Sequence, residues 1–212
     1  MNNKALFSIV LIIFSCCSQE NRLNQSEINS INIADSIAIE LNNKAISLMS
    51  DASHGYDSLS SILYDSALVY LDQAIEIDSL YLLAYTNKSQ VLRRKGELEG
   101  ALEVLKKVET KKQDFAEVIT AQGFILEKMG KLELAKLKYK EALEVYEKRL
   151  EMNPKNDKVQ SDIAFLYIFF EDKSSALDKI LQLIIENPTS EQLKIMESVI
   201  KDFDKEKFIE EF

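Results

Sequence analysis

Apolar residues recur at intervals of three and four over much of the chain, the spacing of a helix that buries one face. Ala34, Ile37, Ala38, Leu41, Ala45 and Leu48 make one such stripe and predict a helix over 33–49. A second is predicted over 61–77, a long one over 135–152 that ends at Asn153-Pro154, and another that Thr189-Ser190-Glu191 opens and that runs to about 203. Lys205 to Phe212 reads as a short final turn that docks or frays. Only 5 Gly and 2 Pro occur in 212 residues, too few for the frequent turns of a sandwich or barrel. Stretches rich in Leu, Ala, Glu and Lys favour helix instead. The expected class is all-α.

The stripes repeat. Ala67, Ala101 and Ala135 stand 34 residues apart, and the same step joins Gly96 to Gly130 and Leu98 to Leu132. It also joins Leu71, Leu105 and Tyr139, and likewise Ala74, Val108 and Ala142. A fourth copy at Ala176 lies 41 residues beyond Ala135, one repeat plus two helical turns, which accounts for the long helix over 135–152. Small residues at a fixed step let helix backbones approach where they cross, while Leu and Tyr nearby fill the space between layers.

This register resembles the tetratricopeptide repeat. The copy that starts at Leu82 places Ser89, Leu92, Ala101, Leu105 and Val108 at the family's small and apolar positions. The copy from Ala116 places Gly123, Leu126, Ala135, Tyr139 and Ala142 there. The copy from Asp157 places Ala164, Tyr167, Ala176, Ile180, Leu183 and Pro188 there. At the fourth position Tyr85, Ile119 and Gln160 depart from the family's Trp or Leu. The resemblance implies an α-solenoid of antiparallel helix pairs: about four pairs over 33–188, with a capping helix and tail over 189–212. The first pair carries ten inserted residues. Gly55 and the surrounding Ser and Asp residues predict a loop over 50–60.

Residues 1–15 carry Lys4 and then an apolar run from Ala5 to Phe14, the layout of a signal peptide. That run is about half the roughly 20 residues a spanning helix needs. Ile13, Phe14 and Ser15 before Cys16 resemble a bacterial lipoprotein lipobox, with Phe14 bulkier than is usual. The resemblance implies acylation of Cys16, the alternative being an ordinary cleaved signal. The polar stretch over 16–32 is expected to tether a lipid-anchored domain at a bacterial cell envelope, the outer membrane being favoured over the inner.

A net charge of −9 repels nucleic-acid backbones. The cysteines, Cys16 and Cys17, are adjacent, so they offer no disulfide framework. His54, the one histidine, has no second His or Cys nearby, and the loop's Asp51 and Asp57 lack an alternating acidic pattern. No phosphate loop, zinc motif or nucleophile elbow occurs. The chain is therefore expected to be no enzyme and to take no metal or cofactor.

The family resemblance implies that first helices line a concave groove. Of the positions it carries over, Arg93, Arg94, Phe124, Glu127, Phe165 and Phe169 are the candidate partner-binding residues. The Lys, Arg and Asn set that clamps a chaperone tail in that family is absent at the matching positions. Phe165-Leu166-Tyr167-Ile168-Phe169-Phe170 covers every side of a helix with large apolar groups, so one face needs a cover. Two readings stand. Phe124, Phe165 and Phe169 form an apolar strip for a partner helix or peptide, or the last helices of the chain cover them. The expected function is a membrane-anchored scaffold or adaptor that docks envelope proteins, with assembly of such proteins as its setting. The alternative is a surface lipoprotein that binds a small ligand or glycan.

Overall fold

The structure is a computed structural model that describes residues 34–53 and 57–212. The predicted signal peptide, Cys16, the tether and His54 lie outside the described residues. Ten helices and no strand occur among the described residues. They fall into two compact units that divide after Gln113. None of these helices is long and apolar enough to cross a membrane.

The first unit contains α1 (Ser36–Ala52), α2 (Asp57–Ile77), α3 (Leu82–Arg94) and α4 (Leu98–Lys111). Its core is built on small residues: Ala38, Ala45, Ala67, Ala74 and Ala84 are fully buried beside Leu71 and Val91. Alanine at these crossings brings helix axes close enough for Leu41, Leu48 and Tyr64 to pack around them. Within the α3–α4 pair, the Ser89 hydroxyl donates to the Ala101 carbonyl at 3.1 Å, so even the polar small residue of this crossing is satisfied. Asn87 Nδ2 donates to Asn42 Oδ1 at 2.7 Å and ties α3 to α1 through the interior.

The second unit contains α5 (Ala116–Lys128), α6 (Leu132–Met152), α7 (Asp157–Phe170), α8 (Lys173–Glu186), α9 (Glu191–Asp202) and α10 (Lys205–Glu211). Ala135, Ala142, Ala164 and Ala176 are buried at the crossings, with Tyr139, Ile180 and Leu183 between layers. α6 has 21 residues against the 14 of α4, and the two additional turns carry Tyr146 and Arg149. Side-chain caps start α7 to α10. Asn156, Asp172, Ser190 and Asp204 accept the backbone N–H of Val159, Ser175, Leu193 and Lys207. Such a cap is worth about 1 kcal/mol.

Two helix ends share one device. Gly96 and Gly130, at φ +80° and +74°, follow α3 and α5. After α3, Gly96 N–H donates to Arg93 O and Glu97 N–H to Leu92 O; after α5, Gly130 and Lys131 repeat this on Glu127 and Leu126. This pair of hydrogen bonds to the last turn needs a left-handed residue, which glycine supplies without steric cost.

The segment expected as a loop over 50–60 is instead mostly helix. α1 continues to Ala52, which is buried, and α2 begins at Asp57. The Ser60 hydroxyl donates to the Ala52 carbonyl at 2.7 Å, and Ser53 N–H donates to Met49 O. Ser53 and Ser60, two of the serines that suggested a loop here, close the end of α1.

Candidate functional site

Glu117, Thr120, Phe124 and Glu127 follow one another at intervals of three and four along α5 and share a face of that helix. Ser161, Phe165 and Phe169 do the same on α7. The structure brings Phe124, Phe165 and Phe169 together: ring centroids are 4.6 Å apart for Phe124 and Phe169, and 5.6 Å for Phe165 and Phe169. Tyr139 from α6 closes the floor beneath, 5.5 Å from Phe169. The expected strip therefore exists as a surface of the repeat.

It is not open. Phe124 is 0% exposed, Phe165 3% and Phe169 4%. The rings above them belong to the last residues of the chain. Phe203 stands 4.9 Å from Phe165, Phe208 5.1 Å from Phe124, and Phe212 5.2 Å from Phe124, all edge-on. Of the two sequence readings, the one in which the last helices cover these rings holds. The cover has a physical cause: three exposed phenylalanines on α5 and α7 would leave several hundred square ångströms of aromatic surface in water.

Polar ties hold the cover at its edges. Lys205 Nζ lies 2.9 Å from Glu127 Oε1 and 5.3 Å from the Phe169 ring centroid. The other Glu127 oxygen accepts from the Tyr139 hydroxyl at 2.6 Å. Burial, with that hydrogen bond and the Glu127 charge, drives the Tyr139 hydroxyl far above its ordinary pKa, so it stays a donor. Lys128 Nζ donates to Glu210 O at 2.8 Å, and Lys173 Nζ to Phe203 O at 3.1 Å. Phe203, Lys205, Phe208 and Phe212 were missed as partners of this face. Their spacing of five and four, around a non-helical step at Phe203 and Asp204, was the available signal.

A buried polar cluster occupies the rest of the face. Arg149 grips Glu117 with both terminal guanidinium nitrogens, at 2.8 and 3.1 Å, and also donates to Asp114 O. Burial works against the Arg149 charge, but the hydrogen bonds and charge of Glu117 outweigh it, and its pKa is raised. Burial pushes the Asp162 carboxyl up to about 6, although Lys158 Nζ at 2.8 Å pulls the other way. Tyr146 is pushed well above its ordinary value by burial and then by Asp162 and Glu117.

Arg93 and Arg94 belong to the first unit. Arg94 is exposed at the end of α3, whereas Arg93 is buried, and desolvation with the Arg94 charge lowers its pKa. Among the described residues no cluster of three or more His, Cys, Asp or Glu could hold a metal ion.

No family model matches the chain. A tetratricopeptide repeat-containing protein of Methanocaldococcus jannaschii is 30% identical over 135 residues, 63% of this chain and 22% of that protein. The protein STIP1 homolog of Dictyostelium discoideum is 30% identical over 83 residues, 39% of this chain and 15% of that one. The chain thus spans at most about a fifth of the curated relatives it matches. A thermophilic tetratricopeptide repeat protein of Thermus thermophilus is similar in structure at a TM-score of 0.48 and 19% identity, over 84% of this chain and 95% of that one.

Proposed function

We propose that the chain is a protein-binding scaffold, held at a bacterial envelope by a lipid on Cys16, the outer membrane being favoured. Its partners are envelope proteins, and the process it serves is their assembly. One observation carries the binding part: the faces of α5 and α7 hold a short amphipathic helix through aromatic rings and a lysine–carboxylate pair. A surface that takes one such helix has the chemistry to take a helix or peptide from another protein. The anchoring part rests on the apolar run before Cys16 and the lipobox-like Ile13-Phe14-Ser15.

Two experiments test these parts separately. The full chain, expressed with its amino-terminal segment and purified from detergent-solubilised membranes, should bring a stoichiometric protein partner. Recovery of the chain alone overturns the scaffold. Cys16→Ser should move the protein from the membrane fraction to the soluble one; an unchanged distribution overturns the anchor.

A further inference from the structure

The last helix is bound as a ligand would be. α10 has seven residues, whereas an isolated helix shorter than about 12 residues is marginal in water, so its order depends on what it docks against. It is joined to α9 through Phe203 and Asp204, both extended, rather than as a continuation of that helix. Its packing reaches back to α5, two helix pairs earlier in the same unit.

The contacts are of a kind another chain can supply. The polar ties from Lys128 and Lys173 end on backbone carbonyls, which any peptide carries. The selective ones are Lys205 on Glu127 and the rings of Phe203, Phe208 and Phe212. We propose that residues 203–212 occupy the partner groove of the second unit and keep it closed. The partner it admits is an amphipathic helix with phenylalanines in the register of 203, 208 and 212 and a basic residue in the place of Lys205. This rests on the scaffold reading and adds both a partner chemistry and a means of regulation. A tethered segment competes at an effective concentration in the millimolar range, so an outside helix gains the groove only when the tail is loosened or outmatched.

The probe is a fluorescent peptide of residues 201–212, titrated by anisotropy against the full chain. Phe208→Ser/Phe212→Ser loosens the tail and leaves the groove residues intact. This variant should bind the peptide at least ten-fold more tightly than the unaltered chain. Adding Glu127→Lys should abolish that gain, and a peptide carrying Lys205→Glu should restore it. A variant that keeps its helical circular dichroism yet binds the peptide no better than the unaltered chain overturns the proposal. Should the variant unfold, hydrogen exchange on the unaltered chain decides. Amides of 205–212 should exchange at least ten-fold faster than those in the middle of α7, and equal protection in the two helices makes α10 a structural cap and nothing more. Failure here leaves the scaffold reading standing or falling on the membrane purification, which uses the unaltered chain and no peptide.

Discussion

Tyr139 fills the space that a side chain on Gly123 would need: a Cβ at Gly123 would lie 2.2 Å from Cε1 and 2.6 Å from Cδ1 of the tyrosine ring. The register-equivalent positions hold Ser89 and Leu105 one repeat earlier and Ala164 and Ile180 in the next copy, so the smallest residue of the three copies stands opposite the largest. The ring has no retreat. Phe124 and Phe169 flank it at 5.7 and 5.5 Å, and its hydroxyl is held by Glu127. Gly123→Ala should therefore lower stability by about 1–3 kcal/mol, the range for an overpacked core. Adding Tyr139→Leu, which copies the neighbouring crossing, should recover part of that loss. Urea unfolding of the two variants checks both statements, and a neutral Gly123→Ala would refute the pairing.

The glycines after α3 and α5 allow a cleaner measurement, because nothing stands within 4 Å of a Cβ at Gly96 or Gly130. Any loss on substitution then comes from the left-handed backbone alone. Gly130→Ala should cost about 1–2 kcal/mol, and Gly130→Asn less, since asparagine tolerates that conformation. Equal losses for Ala and Asn in urea unfolding would point to some other cause.

The repeat was legible in the sequence because its physical cause is local. Ala67, Ala101 and Ala135 sit where backbones cross, and a larger residue at any of them would push a helix pair apart. The offset at Ala176 and the Asn153-Pro154 stop likewise announced the longer α6. The cover over Phe124, Phe165 and Phe169 was visible only as one of two options. Helical periodicity tells that a face is apolar and says nothing about which distant segment meets it. The grip of Arg149 on Glu117, 32 residues away, depends on the extra turns of α6 and leaves no periodic trace. The 50–60 segment misled for another reason: serine and aspartate serve both loops and helix ends, and here Ser60 serves an end.

That Arg149–Glu117 pair should behave as a unit. The Glu117 side chain is 5% exposed, so removing its partner leaves a carboxylate buried without a counter-charge. Arg149→Met should cost about 3–5 kcal/mol, while Glu117→Leu/Arg149→Met should cost clearly less, because no charge is then stranded. Additive losses in urea unfolding would show that the two side chains act independently.

Asp162 gives the second unit a dependence on pH. Its carboxyl, ordinarily near 4, is pushed up to about 6 by burial and further by Glu117, with Lys158 and Arg149 opposing. A carboxyl with a raised value binds its proton more tightly in the folded chain than in the unfolded one. Its contribution to stability is therefore complete below about pH 4 and is lost as pH rises from there through 6. The difference across that window is on the order of 3 kcal/mol. Asp172 acts in the opposite sense at lower pH. Hydrogen bonds from Ser175 hold its carboxyl below the ordinary value, so its contribution is present above that value and disappears on further acidification. Asp162→Asn removes the first effect and leaves the second. Between pH 7 and 5 the unaltered chain should gain stability relative to Asp162→Asn. Melting temperatures of the two proteins, taken in parallel from pH 4 to 7, test this, and a constant difference over that range would show that Asp162 titrates alike in both states.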